Sequence, residues 1–146
     1  GRIVKRYSSM PGLDLTEMYL RVAAAFVVGN SDMHLKNFSL IENMPGSRIF
    51  QLSKAYDMLP VNVIMPEDKE QMALTINGKK RNIHKKEFRK LAESYEISPK
   101  AAENMLKKIC RMENKLLDQV EGAYLSKEQK EQVSQLVHER IKTLSL

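Results

Sequence analysis

The sequence predicts a mainly α-helical fold with small β hairpins, and three observations lead to this prediction. Apolar residues recur at three- and four-residue spacing near the start of the chain and over most of its C-terminal half. Between these regions, the short runs "FSLIE" and "RIFQLS" flank the turn-forming "NMPGS". The chain has 146 residues, of which 42% are apolar and 29% charged, and this suits one domain spanning residues 1–146.

The first predicted helix begins at Asp14 and ends near Gly29. Asp14 and Glu17 have the spacing of a capping box, in which each side chain bonds to the backbone of the other residue. Residues 1–12 are basic and end in "MPG", so we expect a loosely held lead-in. The apolar positions that follow Asp14 at helical spacing are expected to be buried: Leu15, Met18, Tyr19, Val22 and Phe26.

Two hairpins are predicted in the middle of the chain. Residues 38–42 and 48–53 form the first, with the turn between them. A loop marked by Pro60 and Pro66 follows. The stretch "MALTINGKKRNI" predicts the second hairpin, with Asn77–Gly78 at its tight turn.

The remainder of the chain is predicted to be helical. One helix covers residues 85–95, and Ser98–Pro99 opens the next with a cap and a first-turn proline. That next helix is expected to run without a break over residues 100–121, and Ser126 with Gln129 forms a capping box for the last one. The inward positions expected in the long helix are Ala102, Met105, Leu106, Ile109, Met112, Leu116 and Val120.

Charge and cysteine content restrict the function classes only weakly. The net charge of +6 is compatible with an anionic partner such as a nucleotide or nucleic acid. The basic run over residues 78–90 lacks aromatic residues interleaved for base stacking, so a solvated surface is favoured over a nucleic-acid site. The single Cys110 excludes an internal disulfide, and its place on an apolar helix face favours a structural thiol. We therefore expect a reducing, cytoplasmic location, and no apolar run approaches the length of a membrane span.

The stretch "GNSDMHLKNF", residues 29–38, carries the strongest functional signal. Phosphoryl transfer needs a carboxylate beside the attacking hydroxyl, an uncharged oxygen ligand for Mg²⁺, and a cation that offsets charge on the transferred phosphoryl oxygens. Asp32, Asn37 and Lys36 provide these three groups within one turn. The spacing Asp32-x-x-x-x-Asn37 is that of the catalytic loop of protein kinases.

A kinase also needs a metal-binding carboxylate beyond the hairpin that follows this loop. Asp57, in "AYDML", stands directly after the second predicted strand. Mg²⁺ prefers a few hard oxygen ligands together with phosphate oxygens, so Asn37 and Asp57 are sufficient protein ligands. We expect a hairpin between these two residues to bring their side chains together at one metal position, with Asp32 beside them and turned toward the open cleft.

Two plainer interpretations compete with this one. An ordinary polar loop with an Asx turn would explain Asp32, Lys36 and Asn37. Asp57 taken alone is more often a turn former, so its functional interpretation depends on the first loop. A zinc site through Asp32 and His34 would need further nitrogen or sulfur ligands. Only His84 and His138 remain, far away in sequence, and both are expected on the surface.

The combination "GNSDMHLKNFSL", "AYDMLP" and "MALTINGKKR" resembles the HipA family of serine/threonine kinase toxins, over residues 14–90. The resemblance implies that Asp32 is the catalytic base and that Asn37 and Asp57 hold Mg²⁺. It implies that Lys36 contacts the ATP phosphates and assists catalysis. His34 matches the histidine of the motif, which places it in the nucleotide site with a loop-orienting role.

The family likeness also implies a fold and partners. The chain resembles the helical C-terminal lobe of a protein-kinase-like fold. It contains no Gly-rich phosphate loop and no strand with a nucleotide-binding lysine, so we expect an N-terminal lobe upstream or on a second chain. The implied partners are a protein substrate, such as an aminoacyl-tRNA synthetase, and a DNA-binding antitoxin of the HipB type, and no membrane is expected.

Two alternatives remain open. Small-molecule kinases of the aminoglycoside-phosphotransferase or phosphoinositide-kinase type use the same Asp-to-Asn spacing, although "ALTINGKKR" favours the HipA family. The second alternative is a non-catalytic lobe that docks a DNA-binding partner. Such a lobe has no need of Asp32, Asn37 and Asp57 together, so their joint presence argues against it.

Overall fold

The computed structural model describes residues 1–145, which form seven α-helices and one two-stranded antiparallel hairpin. In the hairpin Leu40 lies opposite Leu52, and Glu42 lies opposite Phe50. The predicted mainly α-helical fold with a small β hairpin is therefore confirmed. The elements in chain order are α1 (Arg2–Tyr7), α2 (Pro11–Val28), β1 (Leu40–Glu42), β2 (Phe50–Leu52), α3 (Val61–Ile64), α4 (Lys85–Ser94), α5 (Pro99–Cys110), α6 (Glu113–Glu121) and α7 (Lys127–Ser145).

Helix α2 forms the centre of the core, and its predicted apolar stripe is buried. Tyr19 and Phe26 are fully buried, and the ring of Phe88 from α4 packs edge-on against both, with centroid distances of 6.5 and 5.3 Å. Helices α5 and α7 cover the rest of α2. Burial of one large apolar side chain contributes about 1.5–3 kcal/mol. The packing of Phe88 against Tyr19 and Phe26 therefore holds α2 firmly in the core. Buried residues from these covering helices are Ala102, Leu106, Ile109, Val133, Val137, Ile141 and Leu144.

The N-terminal prediction was wrong in two respects. Residues 1–12 are not a loose lead-in, because α1 is helical and its Val4 is buried against Leu52 of the hairpin. Helix α2 begins at Pro11, a residue pre-organised for a first helical turn, rather than at Asp14. Asp14 is buried and accepts hydrogen bonds from the Ser8 hydroxyl (2.6 Å) and from the backbone N–H of Leu52 (2.9 Å).

The second predicted hairpin is reduced to its turn. Asn77 and Gly78 both have positive φ, as the predicted tight turn requires, but only one isolated bridge joins Ile76 to Lys79. Ile76 is buried in the main core, so the segment is held by packing rather than by a ladder of hydrogen bonds.

The long C-terminal helix predicted over residues 100–121 is broken at Arg111–Met112. Met112 donates its N–H to the Ile109 carbonyl, which tightens the end of α5, and α6 starts as a separate helix at Glu113. Helix α5 packs on α2, α4 and α7, whereas α6 packs mainly on α7. Met112, expected to face inward, is consequently 42% exposed, and Cys110 is only half-buried.

Acidic partners balance much of the basic run over residues 78–90. Lys79 Nζ lies 2.9 Å from Glu87 Oε1, and Lys80 Nζ lies 2.8 Å from Glu70 Oε2. These lysines hold their own loop in place, which is the role expected of a structural surface. No helix within residues 1–145 is both long and apolar enough to cross a membrane.

Candidate active site

Gly29 ends α2 and starts the loop of residues 29–38, which carries Asp32, Lys36 and Asn37 and is called the functional loop below. Its backbone is left-handed (φ 74°), and two hydrogen bonds close the helix: Gly29 N–H to Phe26 (3.3 Å) and Asn30 N–H to Ala25 (2.8 Å). This bonding pattern is a Schellman motif, for which glycine is favoured. A side chain here would also meet Leu136, because a Cβ would lie 2.3 Å from Leu136 Cδ2. The loop therefore leaves the core in a direction set by the buried helix.

The loop itself is anchored by Met33 and closed by a 3₁₀ turn. Met33 is 1% exposed and belongs to the main core. The 3₁₀ turn, Leu35–Asn37, buries Asn37 to 3% exposure. The Asn37 Oδ1 atom accepts a hydrogen bond from the His34 N–H (3.1 Å), and the Asn37 N–H donates to the His34 carbonyl (3.0 Å). These reciprocal bonds fix the orientation of the Asn37 amide.

The hairpin brings Asp57 back to this amide. Asn37 Nδ2 donates to Asp57 Oδ2 over 2.8 Å, although 20 residues separate the two. The segment between β2 and Asp57 is held at its start by Arg21. This buried α2 residue donates to the carbonyl of Ser53, the residue just after β2 (2.6 Å). Asp57 has a left-handed backbone (φ 57°), which few residues with a Cβ adopt. The structure thus brings Asn37 and Asp57 together as their spacing predicted.

Asp32, His34 and Lys36 lie on the exposed side of the loop. The Asp32 side chain is 65% exposed, and its Oδ1 lies 3.7 Å from Nε2 of the half-buried His34. His34 in turn holds Asn37, so one chain of contacts links Asp32 to Asp57. Lys36 is also exposed, and its carbonyl accepts a hydrogen bond from the Tyr56 hydroxyl (2.6 Å). The ammonium of Lys36 makes no ion pair with any residue of the described range 1–145.

Two residues that the sequence analysis passed over clamp the loop to the segments facing it. Asn30 is 1% exposed and donates to the Asp57 carbonyl (2.7 Å). Ser31 is 4% exposed and donates to Asp68 Oδ2 (2.6 Å). The bonds from Ser31 and from the Glu70 backbone N–H lower the pKa of Asp68, because both stabilise its charged form.

The clamp continues through Asn62, whose N–H donates to the Gly29 carbonyl (3.0 Å). Its side-chain amide donates to the Glu70 carbonyl (2.8 Å). Asn30 and Ser31 could have been suspected, because they lie in the same polar stretch as Asp32 and directly follow a helix-ending glycine. Nothing in the sequence distinguishes Asn62 or Asp68 from ordinary loop residues.

The arrangement suits a hard cation that keeps some of its other ligands. The side chains of Asn37 and Asp57 lie together through the hydrogen bond from Asn37 Nδ2 to Asp57 Oδ2, and each side chain also carries an oxygen of a type that Mg²⁺ prefers. Among residues 1–145, no three His, Cys, Asp or Glu side chains converge as a metal cluster would. A cation held here would therefore need oxygens from water or from a substrate.

Comparison with known proteins gives the family. Residues 2–116, most of the chain, match the family described as the HipA-like C-terminal domain. This chain belongs to that family. The resemblance expected from the loop, the Tyr-Asp segment and the "ALTINGKKR" stretch is thereby confirmed, and the match reaches further in both directions than residues 14–90.

A curated relative points in the same direction. The HipA-like chain is 38% identical over 88 residues to a protein of Sinorhizobium fredii named "Putative kinase Y4dM". The matched part is 60% of this chain and 21% of that protein. The relative is thus several times longer than the region that the two proteins share.

Proposed function

We propose that this HipA-like chain is the catalytic-loop lobe of a kinase that transfers the γ-phosphoryl group of ATP to a serine or threonine hydroxyl of a protein. The observation that carries the proposal is the 2.8 Å contact between Asn37 and Asp57, with Asp32 linked to both through His34. An unrelated polar loop has no reason to assemble this set. The kinase name of the relative and the family membership of the chain support the same reaction class.

The donor set fits Mg²⁺. Asn37 Oδ1 uses one lone pair for the His34 N–H and keeps a second, since a carbonyl oxygen has two. Asp57 uses Oδ2 for the Asn37 amide, and no residue within 1–145 donates a hydrogen bond to its Oδ1. When bound, Mg²⁺ would neutralise charge on the ATP phosphates. Asn37 and Asp57 are the residues that would hold it.

Asp32 has the exposure that a base for an incoming hydroxyl requires. In the proposed reaction its carboxylate orients the substrate hydroxyl and accepts its proton as the oxygen attacks the γ-phosphorus. The bond between that phosphorus and the bridging oxygen of ADP breaks, and ADP leaves. His34 Nε2 lies 3.7 Å from Asp32 Oδ1, on the side of the carboxylate that faces the loop. The general-base role contributes about 10²–10⁴-fold in rate.

Lys36 is the proposed partner of the phosphoryl oxygens. Its side chain is exposed and free of ion pairs with the described residues 1–145, so its charge is available to a ligand. The Tyr56 hydroxyl donates to the Lys36 carbonyl (2.6 Å), and Tyr56 directly precedes Asp57, so this bond ties the backbone of Lys36 to the segment that carries Asp57. We further propose, from the family likeness alone, a protein substrate such as an aminoacyl-tRNA synthetase and a DNA-binding antitoxin partner.

The test is phosphoryl transfer from [γ-³²P]ATP by the full-length protein that contains this sequence, with magnesium present. Asp32→Asn should lower the rate by at least about 10²-fold. Because Asp32 is exposed, the free energy of unfolding of the variant should lie within about 0.5 kcal/mol of that of the parent. The matched control is Asp118→Asn, which changes an exposed carboxylate on α6 and should leave the rate unchanged.

Two results would contradict the proposal. A folded Asp32→Asn variant with parental activity would remove Asp32 from the mechanism. Absence of magnesium-dependent transfer to any protein hydroxyl, with transfer to a small molecule instead, would replace the protein-kinase assignment by the small-molecule one.

A further inference from the structure

The backbone of Asp57 is held in a conformation that it would not adopt by itself. A left-handed φ of 57° brings Cβ close to the following carbonyl, which is unfavourable for any residue except glycine. Asparagine and aspartate tolerate it best, but they still need support from the surrounding structure. With this backbone, the Asp57 carboxylate reaches Asn37 at 2.8 Å.

Side-chain contacts hold the segment that carries Asp57, and one of them is the packing of Met58 against the main core. Residues 54–58 make no backbone–backbone hydrogen bond to any described residue. Arg21 fixes the start of the segment through Ser53, and the Tyr56 hydroxyl reaches Lys36. At Asp57 itself, the backbone contact is the hydrogen bond from Asn30 to the Asp57 carbonyl.

Asn30 is a rigid donor. Its own N–H closes the Schellman motif of α2 by bonding to Ala25 (2.8 Å), so its backbone belongs to the end of the buried helix. Its side chain is 1% exposed, and Nδ2 lies 2.7 Å from the Asp57 carbonyl and 3.9 Å from the Met58 sulfur. The core of the domain therefore fixes where the Asp57 carbonyl must lie.

We propose that Asn30 is a positioning residue, whose amide keeps Asp57 in the left-handed conformation that turns the Asp57 carboxylate toward Asn37. It acts on the metal site through Asp57 and does not touch the reacting atoms. Its relevance to metal binding rests on the proposed function, whereas its effect on the Asp57 backbone does not. Neighbours of metal ligands that orient them typically change metal affinity by about 10–100-fold when they are lost.

The test compares Asn30→Ala and the milder Asn30→Ser with the parent 146-residue chain. Serine keeps a hydroxyl but stops short of the Asp57 carbonyl. Asn62→Ala is the matched control, because Asn62 is also a loop-clamping amide but donates to Glu70 rather than to Asp57. Backbone and Cβ chemical shifts of Asp57, measured by NMR, report its conformation, and broadening of the Asn37 and Asp57 signals by added Mn²⁺ reports metal affinity.

Both Asn30 variants should lose the left-handed shifts of Asp57 and bind Mn²⁺ at least about 10-fold more weakly, while Asn62→Ala keeps both properties. A folded Asn30 variant with parental Asp57 shifts would overturn the proposal. Loss of the left-handed Asp57 shifts in Asn62→Ala would also overturn the proposal. The Asp57 conformation would then depend on the loop contacts in general rather than on Asn30. If the shifts change as expected but the parent chain binds no Mn²⁺, the positioning role is supported and the metal site of the proposed function is wrong.

Discussion

At the scale of single residues, Gly29 has two independent reasons to be glycine. Its φ of 74° is costly for a residue with a Cβ, and a Cβ would overlap Leu136 at 2.3 Å. The overlap is with the end of the partly exposed Leu136 side chain, so a rotation of that side chain relieves part of it. Both effects act at the point where the functional loop leaves α2.

Gly29→Ala should therefore lower the free energy of unfolding by about 1–3 kcal/mol. About 1–2 kcal/mol comes from the left-handed backbone, and the smaller remainder from displacing the Leu136 side chain. Urea unfolding followed by circular dichroism measures the loss. Gly46→Ala is the control, because Gly46 has nearly the same φ (78°) but nothing within 4 Å of its Cβ position. Equal losses in the two variants would mean that the contact with Leu136 has no energetic role.

The residue scale also shows where sequence reasoning ends. Asn37 and Asp57 could be predicted as neighbours because a hairpin between them reverses the chain. That hairpin was predicted from the short runs "FSLIE" and "RIFQLS" on either side of "NMPGS". Asn30 could not be assigned a role, because its effect depends on the φ of Asp57, which no spacing encodes. Likewise, Asp68 acquires its lowered pKa from Ser31, 37 residues away in sequence.

At the scale of elements, Asp14 shows how a local pattern is overridden by tertiary contacts. The Asp14–Glu17 spacing suits a capping box, but Pro11 starts the helix one turn earlier. This leaves the Asp14 carboxylate free to connect its own helix, α2, to two other segments. It accepts hydrogen bonds from Ser8, directly after α1, and from Leu52 of β2. The hairpin that presents Asp57 is thus fastened to the helix that presents Asp32.

Asp14→Asn should destabilise the protein by about 1–3 kcal/mol. Both bonds reach the same oxygen, Oδ2, so an amide replaces the charged acceptor by a neutral one or turns a nitrogen donor toward two other donors. Guanidinium unfolding measures the change, and Asp118→Asn, an exposed site, should stay within about 0.5 kcal/mol. A loss at Asp14 no larger than at Asp118 would show that the junction is not needed for stability.

The break between α5 and α6 could not be predicted from the spacing of apolar residues. The apolar positions from Ala102 to Val120 fit one continuous helix, and neither proline nor glycine marks the bend at Arg111. Both helices pack on α7, but α5 also packs on α2 and α4, whereas α6 packs mainly on α7. Periodicity identifies which face of a helix is apolar, but not where that face changes partner.

At the scale of the whole molecule, three segments far apart in sequence meet at the end of α2. They are the functional loop after Gly29, the Asp57 segment after β2, and the region from Asn62 to Glu70. The meeting point is polar and lies against the apolar core, so the loops are held by buried hydrogen bonds of about 1 kcal/mol each. Such a site has a fixed outline before any ligand arrives.

This organisation limits how well these residues hold a nucleotide by themselves. In the proposed site, Asn37 and Asp57 would contribute two protein ligands for Mg²⁺, and Lys36 would contribute one cation for the phosphates. The six glycines of the sequence are all isolated from one another, so none of its loops is a glycine-rich phosphate cradle. In kinases that cradle and a strand-borne lysine cover the phosphates, and neither group is among these 146 residues.

The 146-residue chain alone should therefore bind Mg-ATP with a dissociation constant weaker than about 1 mM, which corresponds to less than about 4 kcal/mol of binding free energy. Isothermal titration with magnesium and a non-hydrolysable ATP analogue measures this. Asp57→Asn serves as the control because it replaces the proposed carboxylate ligand by an uncharged amide of the same shape. Any weak heat of binding that depends on the site should disappear in that variant. Micromolar affinity in the parent chain, lost in Asp57→Asn, would contradict the prediction. It would mean that Asn37, Asp57 and Lys36 belong to a nucleotide site that these residues complete without a phosphate-covering loop.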